Sequence, residues 1–185
     1  MTPASELPQN LEPTPSQTAG PFFHIGFDHL CRATVIPPGH DGDTVTVRGR
    51  IIDGDGVAVP DAAVEIWQAG PNGTHAADCQ GFGRVCTDDG GCFAFETVRP
   101  GATSGPNSTA QAPHLVVLLL MRGLLKPVHT RVYLGELSAF QTDSILKLVP
   151  EDRARTLLAR PGKSPNHFVW DVAMQGESET VFFEF

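Results

Sequence analysis

From Thr44 onward, apolar and polar residues alternate in short runs separated by turn-forming clusters. Val45, Val47 and Ile51 interleave with Thr44, Thr46, Arg48 and Arg50, the two-residue period of a half-buried strand. Asp53-Gly54-Asp55-Gly56 follows, a hairpin signature, and Ala63–Gln68 reads as the return strand, with Val64 and Ile66 on one face. Gly81–Thr87 and Cys92–Val98 flank Asp88-Asp89-Gly90-Gly91 as a second hairpin, with Phe93 and Phe95 sharing a face. His114–Arg122 is apolar on both faces, the pattern of a central strand between two layers. His129–Gly135, His167–Met174 and Glu179–Phe185 complete about eight strands.

One helix is expected, beginning at Pro150, carrying Glu151 and Asp152 in its first turn and ending at Arg160 before Pro161-Gly162. Asp143–Val149 reads as a short turn of helix ahead of it. Residues 1–13 are polar and Pro-interrupted, Thr14–Gly26 with Phe22, Phe23 and Ile25 reads as an arm that rests on another surface, and Asp28–Asp43 reads as loop. Together, residues 1–43 read as an N-terminal arm and loop packing on a partner. These elements predict a mainly β fold: a β-sandwich of about eight strands over 44–185, with long loops and one or two short helices. The closing Phe182, Phe183 and Phe185 call for strand pairing or cover from a neighbouring chain.

Composition narrows the function classes. Nineteen Gly and sixteen Pro among 185 residues favour a turn-rich β fold over a helix bundle. Thirteen Lys and Arg against twenty-one Asp and Glu give a net charge of −8, which argues against a nucleic-acid binder or a polybasic membrane-surface protein. No apolar run approaches the roughly 20 residues of a membrane span, and the first residues lack a signal-peptide pattern. Cys31, Cys79, Cys86 and Cys92 sit at no zinc-like spacing; free thiols in a cytoplasmic protein are expected.

Among candidate chemistry, no Gly-x-Ser-x-Gly elbow, phosphate loop, dinucleotide fingerprint or His-Glu-x-x-His occurs. Seven histidines are scattered without the spacing of a simple metal pair. In His129-Thr130-Arg131-Val132-Tyr133, alternation places His129, Arg131 and Tyr133 on one face. That face reads either as a solvated sheet surface with an intrachain ion pair or as a carboxylate-binding surface built on Arg131. Alternation alone favours the first. Tyrosine occurs once, at Tyr133, so chemistry that needs two tyrosinates is beyond this chain.

Several segments together resemble the intradiol ring-cleavage dioxygenases: Thr14–Gly26 (TPSQTAGPFFHIG), Gly49–Ala69 with its Asp-Gly turn and Trp-Gln-Ala, Phe82–Gly101, Ala112–Tyr133 and Gly176–Phe185. The resemblance is strongest to the family's alpha-type chains, through the N-terminal arm, the Arg-Gly-Leu-Leu…His-Thr-Arg run and the closing Glu-Thr-Val-Phe-Phe. It implies a family that holds non-haem Fe(III) with two Tyr and two His. Here the corresponding positions read His75, Thr103, His114 and Val116, so that only His114 is retained. The resemblance therefore implies a chain without a catalytic residue or a metal of its own, paired with a catalytic beta-type subunit that binds the Fe(III).

By the same resemblance, Thr18, Gly20, Pro21 and Arg131 line part of the substrate pocket at the subunit interface. Arg131 would face the carboxylate of an acid-bearing catechol. Phe22 stands where related alpha-type chains have Tyr. The implied reaction is O2-dependent cleavage of 3,4-dihydroxybenzoate to 3-carboxy-cis,cis-muconate. Two other readings remain: an autonomous metalloenzyme using His75, His114 and His129, and a non-catalytic β-sandwich binding or structural module.

Overall fold

The structure is a computed structural model that describes residues 13–20, 23–40, 42–75 and 80–184. Among the described residues, twelve strands form two leaves and a small separate hairpin. The first leaf runs in the order β1 (Thr34–Val35), β5 (Cys92–Val98), β2 (Thr44–Ile52), β11 (His167–Val169) and β10 (Leu158–Pro161), and β12 (Val172–Ala173) also pairs with β2. The second leaf contains β9 (Val128–Leu134), β8 (Leu115–Leu120), β3 (Ala63–Gln68) and β4 (Phe82–Cys86). Leu158 and Ala159 of β10 pair in parallel with Tyr133 and Leu134 of β9, joining the leaves along one edge. Arg32 bridges Arg84 on β4 just before β1 begins, and that joins the other edge.

Alternation explains the core between the leaves. Val45, Val47 and Ile51 of β2 and Phe93 and Phe95 of β5 face Val64, Ile66, Leu115, Val117, Leu119 and Val132 of the second leaf. Gln68 fixes the leaves to each other. Its amide Nε2 donates to the Val98 carbonyl at 2.9 Å, and its Oε1 accepts from the Thr97 hydroxyl at 2.8 Å. The glutamine of Trp-Gln-Ala is therefore a fully paired polar clamp in an otherwise apolar interior.

Several expectations need correction. The two Asp-Gly sequences do form tight turns, with the Asp53 and Asp88 carboxylates each accepting two backbone N–H groups. Neither turn makes the expected strand-to-strand hairpin: the first closes only a short antiparallel return through an Ile52–Ala58 bridge, and β4 does not pair with β5. β2 pairs with β5, β11 and β12, whereas β3 pairs with β4 and β8, so each turn carries the chain from one leaf to the other. The expected helix 150–160 is one α-turn, α2 (Glu151–Ala154), and a 3-10 turn, Arg155–Leu157, after which Leu158 enters β10. Sheet pairing with β9 replaces the last helical turn. The expected strand 167–174 divides into β11 and β12, and the described part of 179–185, residues 179–184, makes an isolated bridge at Phe183 to His129 rather than a strand.

Strand β8 is central, but only one of its faces is fully buried; Val116, Leu118 and Leu120 are half-covered. The sheet also begins before residue 44, because Thr34 and Val35 pair with Glu96 and Thr97. Ahead of it lie a short helix, α1 (Phe23–Phe27), and a 3-10 turn at Asp28–Leu30. They rest on β4, where the Arg84 guanidinium stacks over the Phe27 ring at 4.3 Å.

Candidate functional site

The four ligand-type positions of the sequence lie on segments that adjoin at one end of the second leaf. His75 follows a turn closed by the Gly70 N–H to Thr74 carbonyl bond at 2.8 Å. Gly73 in that turn has φ +77°, and a Cβ there would come within 1.9 Å of the Ala102 oxygen. Only glycine permits this approach, which brings the His75 loop against the segment entering β6 (Thr103–Ser104). β6 pairs with β7 (Ala110–Gln111) in the separate hairpin, with Thr103 opposite Gln111. His114 then leads into β8, where Val116 lies opposite Arg131 of β9.

Arg131 is the centre of this arrangement. It is 9% exposed, and its Nη1 donates to Gln111 Oε1 at 3.3 Å. The expected solvated face is thus corrected: Arg131 is enclosed by its own chain, and its guanidinium donates to an amide rather than to a carboxylate at the surface. Tyr133, on the same face, is 0% exposed and packs with Ala112, Phe140, Leu146, Ala154 and Leu157 in a second apolar cluster. The β6–β7 hairpin and the 137–157 segment cover what would otherwise be open sheet.

Charge in this pocket follows from burial. His114 donates from Nδ1 to the Ala112 carbonyl at 2.7 Å. Burial holds its pKa below the ordinary histidine value; Arg131 and His75 act in the same direction, against the Ala112 bond and Asp143. Burial also raises the Tyr133 phenol well above the ordinary tyrosine value, with Asp143 adding to the rise. Its hydroxyl lies near Arg131 and Asp143 without a well-formed hydrogen bond.

Asp143 holds the cover in place. Fully buried, it accepts the Ala112 N–H at 2.7 Å and the N–H groups of Ile145 and Leu146 at 2.8 and 2.9 Å. Sequence reasoning missed Gln111 and Asp143 as neighbours of Arg131. For Asp143 a signal existed: an Asp two residues ahead of the Ile145-Leu146 pair is placed to cap a turn. For Gln111 there was none, since its role depends on the β6–β7 hairpin.

The arm residues lie elsewhere. The Gly123 N–H donates to the Thr18 hydroxyl oxygen at 2.8 Å, at the turn joining β8 to β9, and the Thr18 hydroxyl reaches the Met121 carbonyl at 3.5 Å. Gly20 is exposed, with open space where a side chain would project. Pro21 and Phe22 lie outside the described residues. Arg131 sits opposite Val116, five residues from Met121 along β8, on the order of 17 Å of strand. Thr18 and Arg131 are not brought into contact.

A family described as Dioxygenase matches residues 20–143, more than half of the chain. Protocatechuate 3,4-dioxygenase alpha chain of Burkholderia cepacia is 39% identical over 94% of this chain and 98% of its own length. Its counterpart from Pseudomonas putida is 35% identical over 97% and 100%. The chain belongs to the intradiol ring-cleavage dioxygenase family. The fold agrees: the dioxygenase domain of a dioxygenase–carbohydrate-binding fusion from Streptomyces sp. SirexAA-E superposes with TM-score 0.61 at 19% identity, covering 92% of this chain and 100% of that one.

Intradiol dioxygenases are iron-dependent as a family. The residues at the four positions of this chain do not suit Fe(III), which is stabilised by hard anionic oxygen donors. Val116 offers no donor, Thr103 a neutral hydroxyl, and His75 and His114 only imidazoles. Tyr133 sits in an apolar cluster that opposes its ionisation, and the Arg131 cation lies opposite Val116.

Among the described residues, Cys31, Cys86 and Cys92 are free thiols. Cys31 and Cys92 are exposed, and Cys86 is half-buried. Burial, and then the proximity of Cys31, Asp28 and Asp61, pushes the Cys86 thiol up to about 11. No described helix is long and apolar enough to cross a membrane.

Proposed function

We propose that this chain is the alpha-type subunit of a protocatechuate 3,4-dioxygenase, with the iron carried by a partner beta subunit. The assembly would use O2 to cleave 3,4-dihydroxybenzoate between its hydroxyls to 3-carboxy-cis,cis-muconate, in the cytoplasm. The observation that carries this reading is the convergence of the four ligand-type positions on a pocket whose donors cannot suit ferric iron. A chain whose relatives are named alpha chains, and whose own pocket is unfit for the family's metal, is inactive alone and works through a second polypeptide.

In this reading the contribution of the chain is binding and positioning. Bound to the partner, the iron supplies activation of the catechol towards O2. The Arg131 guanidinium binds the substrate carboxylate: its planar fork matches two oxygens and keeps its charge at any working pH. At 3.3 Å the bond to the neutral Gln111 amide is longer than the usual N–H···O distance, so a carboxylate is the stronger partner for Arg131. Thr18, Gly20 and Pro21, in the arm within residues 1–43, pack on the beta subunit and wall the pocket where an exposed glycine allows a flat ring to approach backbone.

The test is Arg131→Ala in the assembled enzyme. The expected result is a rise of about tenfold or more in KM for protocatechuate with plain catechol changed far less, the loss of one charge-assisted pair. Equal effects on the two substrates contradict the carboxylate role.

A further inference from the structure

Outside the Arg131 pocket, one cluster of donor side chains has no part in the proposed function. The 3-10 turn at Asp28–Leu30 is closed by the Cys31 N–H bonding back to the Asp28 carbonyl at 3.2 Å. A 3-10 helix has three residues per turn, so side chains at i and i+3 stack, and Asp28 and Cys31 come side by side. Arg32 then pairs with Arg84 through two backbone bonds, 2.7 and 3.1 Å, which docks this turn along β4. Cys86 ends β4. The two thiol sulfurs and one Asp28 carboxylate oxygen all lie within 4.8 Å of one another.

We propose that Asp28, Cys31 and Cys86 form a binding site for a thiophilic divalent cation of the Zn2+ type, which fastens the N-terminal arm to β4. Tetrahedral Zn2+ with sulfur at about 2.3 Å sets its two thiolates about 3.8 Å apart, so the donors need close by no more than about 1 Å. Two sulfurs select a soft or borderline ion over Mg2+ or Ca2+, which prefer all-oxygen shells. Cation binding forms two metal–sulfur bonds and one metal–oxygen bond, and the two thiol protons pass to solvent. Asp28 and Cys31 are exposed, so the ion has an open route in, and the fourth position is left to water.

The same exposure sets the purpose. Residues 28–31 connect Thr18 and Gly20 to the sandwich, and Cys86 lies at the end of β4 against them. A cation at this point adds metal–ligand bonds to the Arg32–Arg84 backbone bridge and the Arg84–Phe27 contact, making the turn a fixed corner. The donors come from segments 55 residues apart, and neither segment holds a recognisable metal motif of its own.

The experiment is a titration of the full chain, kept reduced with a phosphine, with Cd2+ as the probe and the cadmium–thiolate charge-transfer absorbance as the signal. The expected result is a band that saturates at one Cd2+ per chain, is abolished in Cys31→Ser and Cys86→Ser, and weakens by about tenfold or more in affinity in Asp28→Asn. Cys92→Ser, an exposed thiol outside the cluster, should leave it intact. Absence of a band, its survival in Cys31→Ser, or its equal loss in Cys92→Ser overturns the site. So does a Cys31–Cys86 disulfide in the unreduced chain with no Cd2+ bound by the reduced one. Should Cys86→Ser fail to fold, the exposed Cys31→Ser decides the matter.

Discussion

The Arg131 pocket and the Thr18 arm contact were expected to be two parts of one substrate surface, yet they are built in opposite ways. Around Arg131, charge is enclosed: Gln111 accepts from it, and Asp143 secures the covering segment with three backbone N–H bonds. At the arm, Thr18 makes an exposed contact to the β8–β9 turn and Gly20 meets nothing. The first is pre-organised by the fold. The second is left open at a surface, the arrangement needed if another chain completes it. The contrast assigns rigid electrostatics to the sandwich and adaptable contact to the arm.

The largest expected effect falls on the enclosed side. Asp143→Ala leaves three backbone donors without their carboxylate, and at about 1–3 kcal/mol for each unsatisfied buried group the chain should lose about 3 kcal/mol or more. Denaturant unfolding measures it. A loss below about 1 kcal/mol would mean that the cover over Arg131 is not built as described.

His114 gives a smaller, pH-dependent effect. Burial lowers its folded pKa, so the unfolded state takes up a proton first as the pH falls. Its contribution to stability is present above the unfolded value of about 6.5 and is lost progressively below it, down to the folded value. His114→Gln should flatten the stability difference between neutral and mildly acidic solution relative to the parent chain. An unchanged slope would place the ring in solvent rather than in the pocket.

At the arm, Thr18→Ala should cost under about 1 kcal/mol, as an exposed side-chain bond does. The isolated chain should barely register it, while affinity for the beta subunit falls. A stability loss as large as that of Asp143→Ala would erase the distinction between the two regions.

The sequence disclosed strand positions well and strand partners poorly. Ala63–Gln68 and Cys92–Val98 are strands β3 and β5 with the bounds that alternation gave them, because a two-residue period is a property of the strand itself. The Asp-Gly turns misled because a tight turn fixes only a reversal. Whether the next strand pairs with the last or crosses to the facing leaf depends on distant segments such as β8 and β11. Residues 150–160 carried helix-start signals, but Leu158 and Ala159 gain more from ladder bonds to β9 than from another turn.

The candidate site was legible in its residues and not in its surroundings. Arg131, His114 and Val116 were named from the resemblance, and they do adjoin. That Tyr133 would be fully buried beside them was missed, because the covering segments come from elsewhere in the chain. Likewise, no local signal links Cys31 to Cys86; only the docking of the 3-10 turn on β4 brings them together.

The central claim, that this chain serves an iron centre it does not hold, is tested most directly by metal analysis with visible spectroscopy. The purified chain alone would be compared with the chain co-expressed with its beta partner, each assayed for O2 uptake with protocatechuate. The account predicts iron, a tyrosinate-to-iron band and activity only in the complex. Stoichiometric iron with that band and ring cleavage in the lone chain would contradict it.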